Sequence, residues 1–408
     1  MTEYTNTPEL RFPEFRDEWK LQKLGNLAQF SKGKSLSKKD LNINGKPCIL
    51  YGELYTKYGA ILNKVYSKTS TQNDSLVFSK RNQILIPSSG ETDIDIATAT
   101  AIDTDVKIAV GGDLNIITPI NSDGRFISLY INGKGKYNLA KYAQGKSVVH
   151  LYNSDIKKLN FYLPTNMVEQ EKIGDFFSKL DQQIELEEKK LELLEQQKKG
   201  YMQKIFSQEL RFKDDNGNDY PNWAVVKLKD ILSERKEYAS KTENYPHATL
   251  STSGITLKSD RYNRDFLVKD KSKKYKVTIM NDICYNPANL KFGVITRNRI
   301  GSVIFSPIYI TFEVNNGYSP LFIELLVTRN DFINRVRKYE EGTVYERMAV
   351  KPEDFLNYET EIPCLEEQKK IGDFLVKIDK LIENQSKKID CLKQRKQGLL
   401  QKMFVWYW

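Results

Sequence analysis

The chain has 408 residues, 40% hydrophobic and 11% aromatic, with a formal charge of +10 and a pI near 9.0. That length suits two or three domains, and the composition suits buried cores rather than global disorder. No apolar run approaches the ~18 residues of a membrane span, and residues 1–16 lack the apolar core of a secretory signal. Four scattered cysteines and two histidines leave little material for a disulfide framework or a metal site. The expectation is a cytoplasmic, metal-free protein without a membrane partner, whose excess positive charge suits a polyanion.

Residues 1–168 read as a globular unit with 22 basic and 16 acidic groups. Short β-rich runs at 48–51, 83–86, 107–110, 115–117 and 126–131 are separated by turn clusters. Gly111-Gly112-Asp113 and Asn121-Ser122-Asp123-Gly124 are two such clusters. A helix is expected around 139–143. Lys32, Lys34, Lys38 and Lys39 are candidates for contact with a phosphate backbone, although a solvated loop accounts for them equally well.

Residues 169–206 carry a different pattern. Ile173, Phe177, Leu180, Ile184, Leu191, Leu194, Tyr201 and Ile205 follow alternating steps of four and three, interrupted only by Glu187 and Lys198. This is a heptad seam, the mark of a coiled coil. Ile173 to Ile205 spans roughly 50 Å at ~1.5 Å per residue.

Residues 207–366 form a second globular unit, nearly neutral with 24 basic and 23 acidic groups. Strands are expected at 276–279, 294–297, 302–305 and 308–314, followed by a helix over 320–339, so both units fit an α+β class. The charge is uneven. Lys258, Arg261, Arg264, Lys269, Lys271, Lys273, Lys274, Lys276, Lys291, Arg297 and Arg299 crowd one stretch, with Tyr262, Phe266 and Tyr275 interleaved. A basic, aromatic-laced stretch is the footprint of a nucleic-acid site; a solvated loop is the alternative.

Residues 367–408 repeat the first long helix. Segments 169–206 and 367–404 align without a gap at an offset of 198, with 20 of 38 positions identical. The second seam is Ile371, Leu375, Ile378, Ile382, Ile389, Leu392, Leu399 and Met403, interrupted by Gln385 and Lys396 at the same two places. Glu9-Leu10-Arg11-Phe12 also returns as Glu209-Leu210-Arg211-Phe212, and Trp19 with Lys23-Leu24 as Trp223 with Lys227-Leu228. Two equal helices in one chain are best explained by pairing with each other. Their charges agree: 7 basic and 9 acidic groups in 169–206 face 10 basic and 5 acidic in 367–408. The alternative is that each helix packs on its own globular unit.

No catalytic, cofactor or metal residues emerge. Tyr285-Asn286-Pro287-Ala288 lacks the second proline and the aromatic of the adenine methyltransferase motif. Glu187-Glu188-Lys189 has a nuclease-like spacing but lies on the heptad helix. There is no phosphate loop of the Gx4GK[ST] type. Ser89-Gly90 and Ser253-Gly254 have no catalytic base in view.

The segments Glu169-Gln170-Glu171-Lys172-Ile173-Gly174-Asp175-Phe176 and Glu367-Gln368-Lys369-Lys370-Ile371-Gly372-Asp373-Phe374 resemble the signature of type I restriction-modification specificity (S) subunits. So do Leu163-Pro164 and Ile362-Pro363 just upstream, and Gly145-Lys146-Ser147 and Gly342-Thr343 resemble a Gly-Ser/Thr step that this family places earlier still. The resemblance implies two target recognition domains, each reading one half of a bipartite DNA sequence, and two helices forming an antiparallel coiled coil that sets the spacing. It implies double-stranded DNA, two modification (methyltransferase) subunits and restriction (translocase/nuclease) subunits as partners. S-adenosylmethionine, ATP and Mg would belong to those partners, and this chain would be non-catalytic. Rival readings are a coiled-coil scaffold whose heads bind proteins, and an adenine methyltransferase with its own recognition domain.

Overall fold

The computed structural model describes residues 6–72, 75–240, 245–258, 274–339, 341–342 and 348–405. Two compact units comprise residues 1–191 with 384–408, and residues 192–383. The divisions fall inside the two long helices, Met167–Phe206 and Leu365–Lys402. Each unit therefore holds one globular head and one end of each long helix. Among the described residues no helix is long and apolar enough to cross a membrane, and no group of His, Cys, Asp or Glu could hold a metal ion.

The first head carries two five-stranded sheets. One runs in the order Ala28–Lys32, Leu114–Pro119, Ile84–Pro87, Thr100–Ile102, Ile61–Leu62. The other runs Leu41–Asn42, Ser67–Thr69, Lys46–Ile49, Ala109–Val110, Val77–Phe78. The head is closed by pairing its first strand, Lys20–Lys23, antiparallel to its last, Asn160–Leu163. The second head is built differently. It has a four-stranded sheet (Leu232–Glu234, Ile310–Val314, Ile283–Tyr285, Ile295–Arg297) and a three-stranded one (Tyr238–Ser240, Lys274–Thr278, Val303–Phe305). It closes in the same way, Ala224–Lys227 pairing antiparallel to Glu359–Ile362.

Two expected elements change identity. The apolar run 126–131 is not a strand but the core of helix Gly124–Asn132. Asp123 caps it by accepting the Arg125 and Phe126 N–H groups at 2.7 and 3.3 Å. Its polar residues Arg125, Ser128 and Asn132 recur at a helical spacing, but the run 126–131 holds only Ser128 of them, too short a window to show the period. The expected strand at 48–51 ends at Ile49, because the Glu53 carboxylate accepts the Leu50 N–H at 2.9 Å and starts helix Tyr51–Thr56. The single helix expected over 320–339 divides into Pro320–Val327 and Asn330–Val336, with a 3-10 turn after them. Arg329 is extended at the break, with its guanidinium 4.1 Å from the centre of the Phe206 ring.

The seams of the long helices do two jobs. In the first unit Ile173, Phe177, Leu180 and Ile184 are buried in the head's core together with Met403 and Phe404 from the end of the second helix. Phe404 lies 5.1 Å from Phe126 and 6.4 Å from Trp19, ring to ring. In the second unit Ile371, Leu375 and Ile378 share a core with Ile205, and Met202, Phe206 and Ile382 pack against it. Each helix thus packs on its own head and against the other helix at once. Towards the middle, Ile389 is buried, while Leu191, Leu194 and Leu392 are half-buried.

Two of the seam's polar interruptions, Glu187 and Gln385, meet each other, and the two lysines meet aspartates of the facing helix. The Gln385 amide donates to the Glu187 carboxylate at 2.7 Å and to the Glu187 carbonyl at 3.0 Å. Lys396 pairs with Asp181 and Lys393 with Glu188 in the first unit, and Lys198 pairs with Asp379 in the second. In the first unit the partner number falls from Lys396 at Asp181 to Gln385 at Glu187, so the helices run antiparallel. The Glu187 carboxyl is held below its ordinary value by Gln385 and then Lys388.

Two outcomes test this packing. Ile184→Asp places an unpaired charge in the first core and should cost on the order of 3–5 kcal/mol, read as a lowered Tm; an unchanged melt would mean the seam is not buried. Burial pushes the Cys48 and Cys284 thiols up to about 11 and about 12, whereas Cys391 is exposed. A chromogenic disulfide reagent should therefore react promptly with Cys391, and with Cys48 and Cys284 only after denaturation.

Candidate nucleic-acid interface

The lysines singled out in the first head occupy a loop held by its own backbone. Lys32 ends an outer strand, and Gly33 follows where a side chain has no room: a Cβ there would lie 2.0 Å from the Gly111 carbonyl oxygen. The Gly33 N–H donates to Leu114 O at 2.9 Å, the Lys34 N–H to Val110 O at 3.3 Å, and the Gly112 N–H to Leu36 O at 3.3 Å. Lys38 and Lys39 lie in a 3-10 turn, where the Asp40 carboxylate accepts both the Ser37 hydroxyl and the Ser37 N–H at 2.8 Å. Those bonds hold the Asp40 carboxyl below its ordinary value. Lys32, Lys34, Lys38 and Lys39 are all exposed. A fixed backbone with exposed cationic side chains can contact phosphates at little cost in loop ordering.

The basic stretch of the second head divides. Lys258 and Lys274 are exposed. Arg261, Arg264 and Lys273, with Tyr262, Phe266, Lys269 and Lys271, lie outside the described residues, as does Thr343. Lys276 must be corrected: it is 1% exposed, its ammonium 3.3 Å from Glu234 and 5.0 Å from the centre of the Tyr238 ring. It serves the head's interior. Tyr275 is likewise buried, edge-on to His247 at 4.8 Å. Arg297 is also a correction. Its guanidinium donates to Glu324 at 3.0 Å and to Asn281 at 2.7 Å, with 17% of the side chain exposed. Arg299 reaches the same Glu324 at 2.8 Å but remains 63% exposed. Glu324 is buried on helix Pro320–Val327, so these arginines tie a hairpin to that helix. A charge count along the chain cannot distinguish such ties from a free basic surface.

The signature residues make the same contacts in both copies. Glu169 receives Arg11 through two bonds of 2.7 and 2.8 Å, and the Trp19 indole N–H lies 3.3 Å away. Glu367 receives Arg211 at 3.0 and 2.7 Å. Both carboxylates have side chains only 1% exposed, and each raises its arginine's pKa through these bonds. The Gln170 side chain accepts the Asp123 N–H at 3.0 Å and donates to Pro164 O at 2.9 Å. Gln368 repeats this with Ser319 N–H at 2.9 Å and Pro363 O at 2.8 Å. Each glutamine thus ties the last strand of its head to the cap of a buried helix.

The glycines that follow keep this approach open. A Cβ on Gly174 would lie 2.9 Å from Arg125 Nε, and one on Gly372 would lie 2.9 Å from Leu321 Cδ2. Arg125 also spans Asp123 and Asp175 at 2.7 and 2.6 Å. The signature is therefore an anchor for the heads. The returning Arg11 and Arg211 were the available signal for it.

Comparison with known proteins agrees with this geometry. Residues 16–196 match the type I restriction modification DNA specificity domain. The type I restriction enzyme MjaVIII specificity subunit of Methanocaldococcus jannaschii is 23% identical over 443 aligned residues, covering 96% of this chain and 92% of that protein. The crystal structure of a type I restriction-modification S subunit from M. genitalium shares the fold, with a TM-score of 0.60 at 16% identity over 98% of this chain and 99% of the other. A chain from a type I R-M system solved for its complex assembly and conformational transition also shares it, with a TM-score of 0.52 at 13% identity over 95% and 97%. The class these likenesses point to is that of a DNA specificity protein, and residues 16–196 are the part that matches its domain model. Within it, the chain is similar along nearly its whole length to type I restriction-modification specificity subunits.

Gln170→Leu and Gln368→Leu each leave a buried N–H and a buried C=O without a partner. Each should cost about 1–3 kcal/mol per unmet group. The two sites lie in different units, so their effects on denaturant midpoints should add; a neutral result at either would remove the anchoring role.

Proposed function

We propose that each head reads one half of a bipartite, non-palindromic DNA target, and that the paired helices set the gap and dock two modification subunits. The observation that carries this reading is one helix and one anchoring scheme, used twice, beneath two heads with different sheets. Equal anchors would present two readers in the same manner, and different heads would read different sequences. Exposed Lys32, Lys34, Lys38, Lys39, Lys258 and Lys274 would supply phosphate contacts, which give affinity and register, while base edges give specificity. Restriction subunits would join the modification subunits, with S-adenosylmethionine, ATP and Mg held on those partners in the cytoplasm. Specificity subunits are non-catalytic, and methylation or cleavage would be the work of the assembly.

The test is a map of methylated adenines in cells expressing this chain with its modification partner. A two-part motif with a fixed gap is expected; methyl transfer by the rigorously purified chain alone would contradict the reading. One heptad added to both helices preserves the seam. It lengthens the coil by roughly 10 Å at ~1.5 Å per residue, or about three base pairs at ~3.4 Å. The mapped motif should keep both halves and gain up to that many positions between them, DNA bending absorbing any remainder. An active complex with an unaltered gap would mean that the helices do not set the spacing.

A further inference from the structure

The first head carries a cation–aromatic ladder that the sequence does not reveal. Among the described residues strand Ala28–Lys32 pairs on one side only, with Leu114–Pro119, and so forms an outer edge of its sheet. Phe30 and Lys32, two residues apart on that strand, lie on one face. The Lys157 ammonium sits 5.2 Å from the centre of the Phe30 ring, and that of Lys32 sits 5.8 Å from the Tyr152 ring. Tyr152 in turn stacks on His150, with centroids 6.2 Å apart and planes at 22°. His150 Nδ1 is 3.3 Å from the Ser89 hydroxyl.

The ladder is fixed from behind. Strand Val149–His150 pairs with Ser89–Gly90. The Leu151 N–H donates to Ser88 O at 3.2 Å, and the Asn153 amide donates to Ser31 O at 3.0 Å. Tyr152 is 44% exposed, and Lys32 and Lys157 are exposed, while His150 and Ser89 are half-buried. Among the described residues neither lysine has a carboxylate partner, whereas Lys158 next door is bound to Asp155 at 2.7 Å. The surface therefore offers free positive charge beside aromatic faces and fixed hydrogen-bonding groups. Lys34 continues it into the basic loop described above.

We propose that this ladder is the DNA-contacting face of the first head. Lys32 and Lys157 would meet phosphates, and Tyr152, His150 and Ser89 would meet base edges of one half-sequence. The inference rests on the bipartite reading proposed above and names the residues that would carry it in one head. A phosphate contact should weaken binding to all sequences alike, while a base contact should change which sequence is preferred.

The test uses the full chain co-expressed with its modification partner. The methylated motif is mapped first for the unaltered complex, then for Lys32→Glu, His150→Ala, Tyr152→Ala and Tyr152→Phe. An unaltered complex that yields no two-part motif removes the bipartite reading itself, independently of this inference. Given a motif, binding is measured on a duplex containing it. Lys32→Glu, at an exposed site, should weaken binding on the order of tenfold and flatten the salt dependence by about one unit. His150→Ala should relax one or two positions in one half only, leaving the other half and the gap unchanged. Tyr152→Ala and Tyr152→Phe should likewise relax positions in that half, since both lack the phenolic hydroxyl that would meet a base edge. A melt accompanies each variant; if Tyr152→Ala or His150→Ala unfolds the head, Lys32→Glu alone decides. Unchanged affinity and motif in folded variants overturn the proposal. So does loss of the modification subunit from the purified Lys32→Glu complex, which would make the face a protein contact.

Discussion

Each unit depends on one junction, the first turns of its long helix. There a buried carboxylate holds an arginine from the segment that enters the head, Glu169 with Arg11 and Glu367 with Arg211. One residue on, a buried glutamine bonds the strand that leaves the head and the cap of a buried helix. A buried ion pair or amide is costly unless its bonds are complete. Here they are two-pronged and nearly shielded from water, so removing either partner leaves an unmet group. The entry, the exit and an internal helix of each head are thereby fixed to the same helical turn. The head between entry and exit can then differ in strand number without disturbing the helix that carries it.

That separation of anchor from head accounts for the distribution of identity along the chain. The helices repeat because both must meet the same demands: a seam, an anchor and a glycine where a head helix approaches. The heads diverge because nothing in the anchor specifies their sheets. Among the described residues the largest sheets of the first are two of five strands, and those of the second have four and three. On the reading proposed above, the stiff element and the reading element would thus have separate sequence requirements. A change in a reading surface need not alter the carrier.

What was legible in the sequence follows the same division. The long helices could be read because a seven-residue period and an ungapped repeat survive any tertiary context. Most of the strands expected in the heads lie within a few residues of observed ones, while many short strands were not expected at all. The helix Gly124–Asn132 was not legible, because two of its three polar positions, Arg125 and Asn132, flank the apolar run and only Ser128 lies within it. The double use of the seam was hidden too: Ile184 and Met403 belong to one core although 219 positions separate them in sequence. Site residues were the least legible. Charge along the chain picked out Lys276 and Arg297, whose partners Glu234 and Glu324 are distant in sequence. It passed over Tyr152 and His150, which carry no charge run and acquire meaning only beside Lys32.

The orientation of the helices was also present in the sequence as a charge argument. Each copy carries an aspartate and, 17 positions later, a lysine: Asp181 with Lys198, and Asp379 with Lys396. In a parallel alignment equivalent residues would face one another, aspartate against aspartate and lysine against lysine. In the antiparallel alignment each aspartate meets the other copy's lysine, as Asp181–Lys396 and Lys198–Asp379 do. One motif, duplicated, thus supplies two opposite-charge contacts. Only at the midpoint must an antiparallel pair bring a residue to its own equivalent, and there the copies differ. Glu187 faces Gln385, which donates to it at 2.7 Å. A second glutamate would have set two carboxylates against each other, so this substitution lets a duplicated helix pair with its own copy.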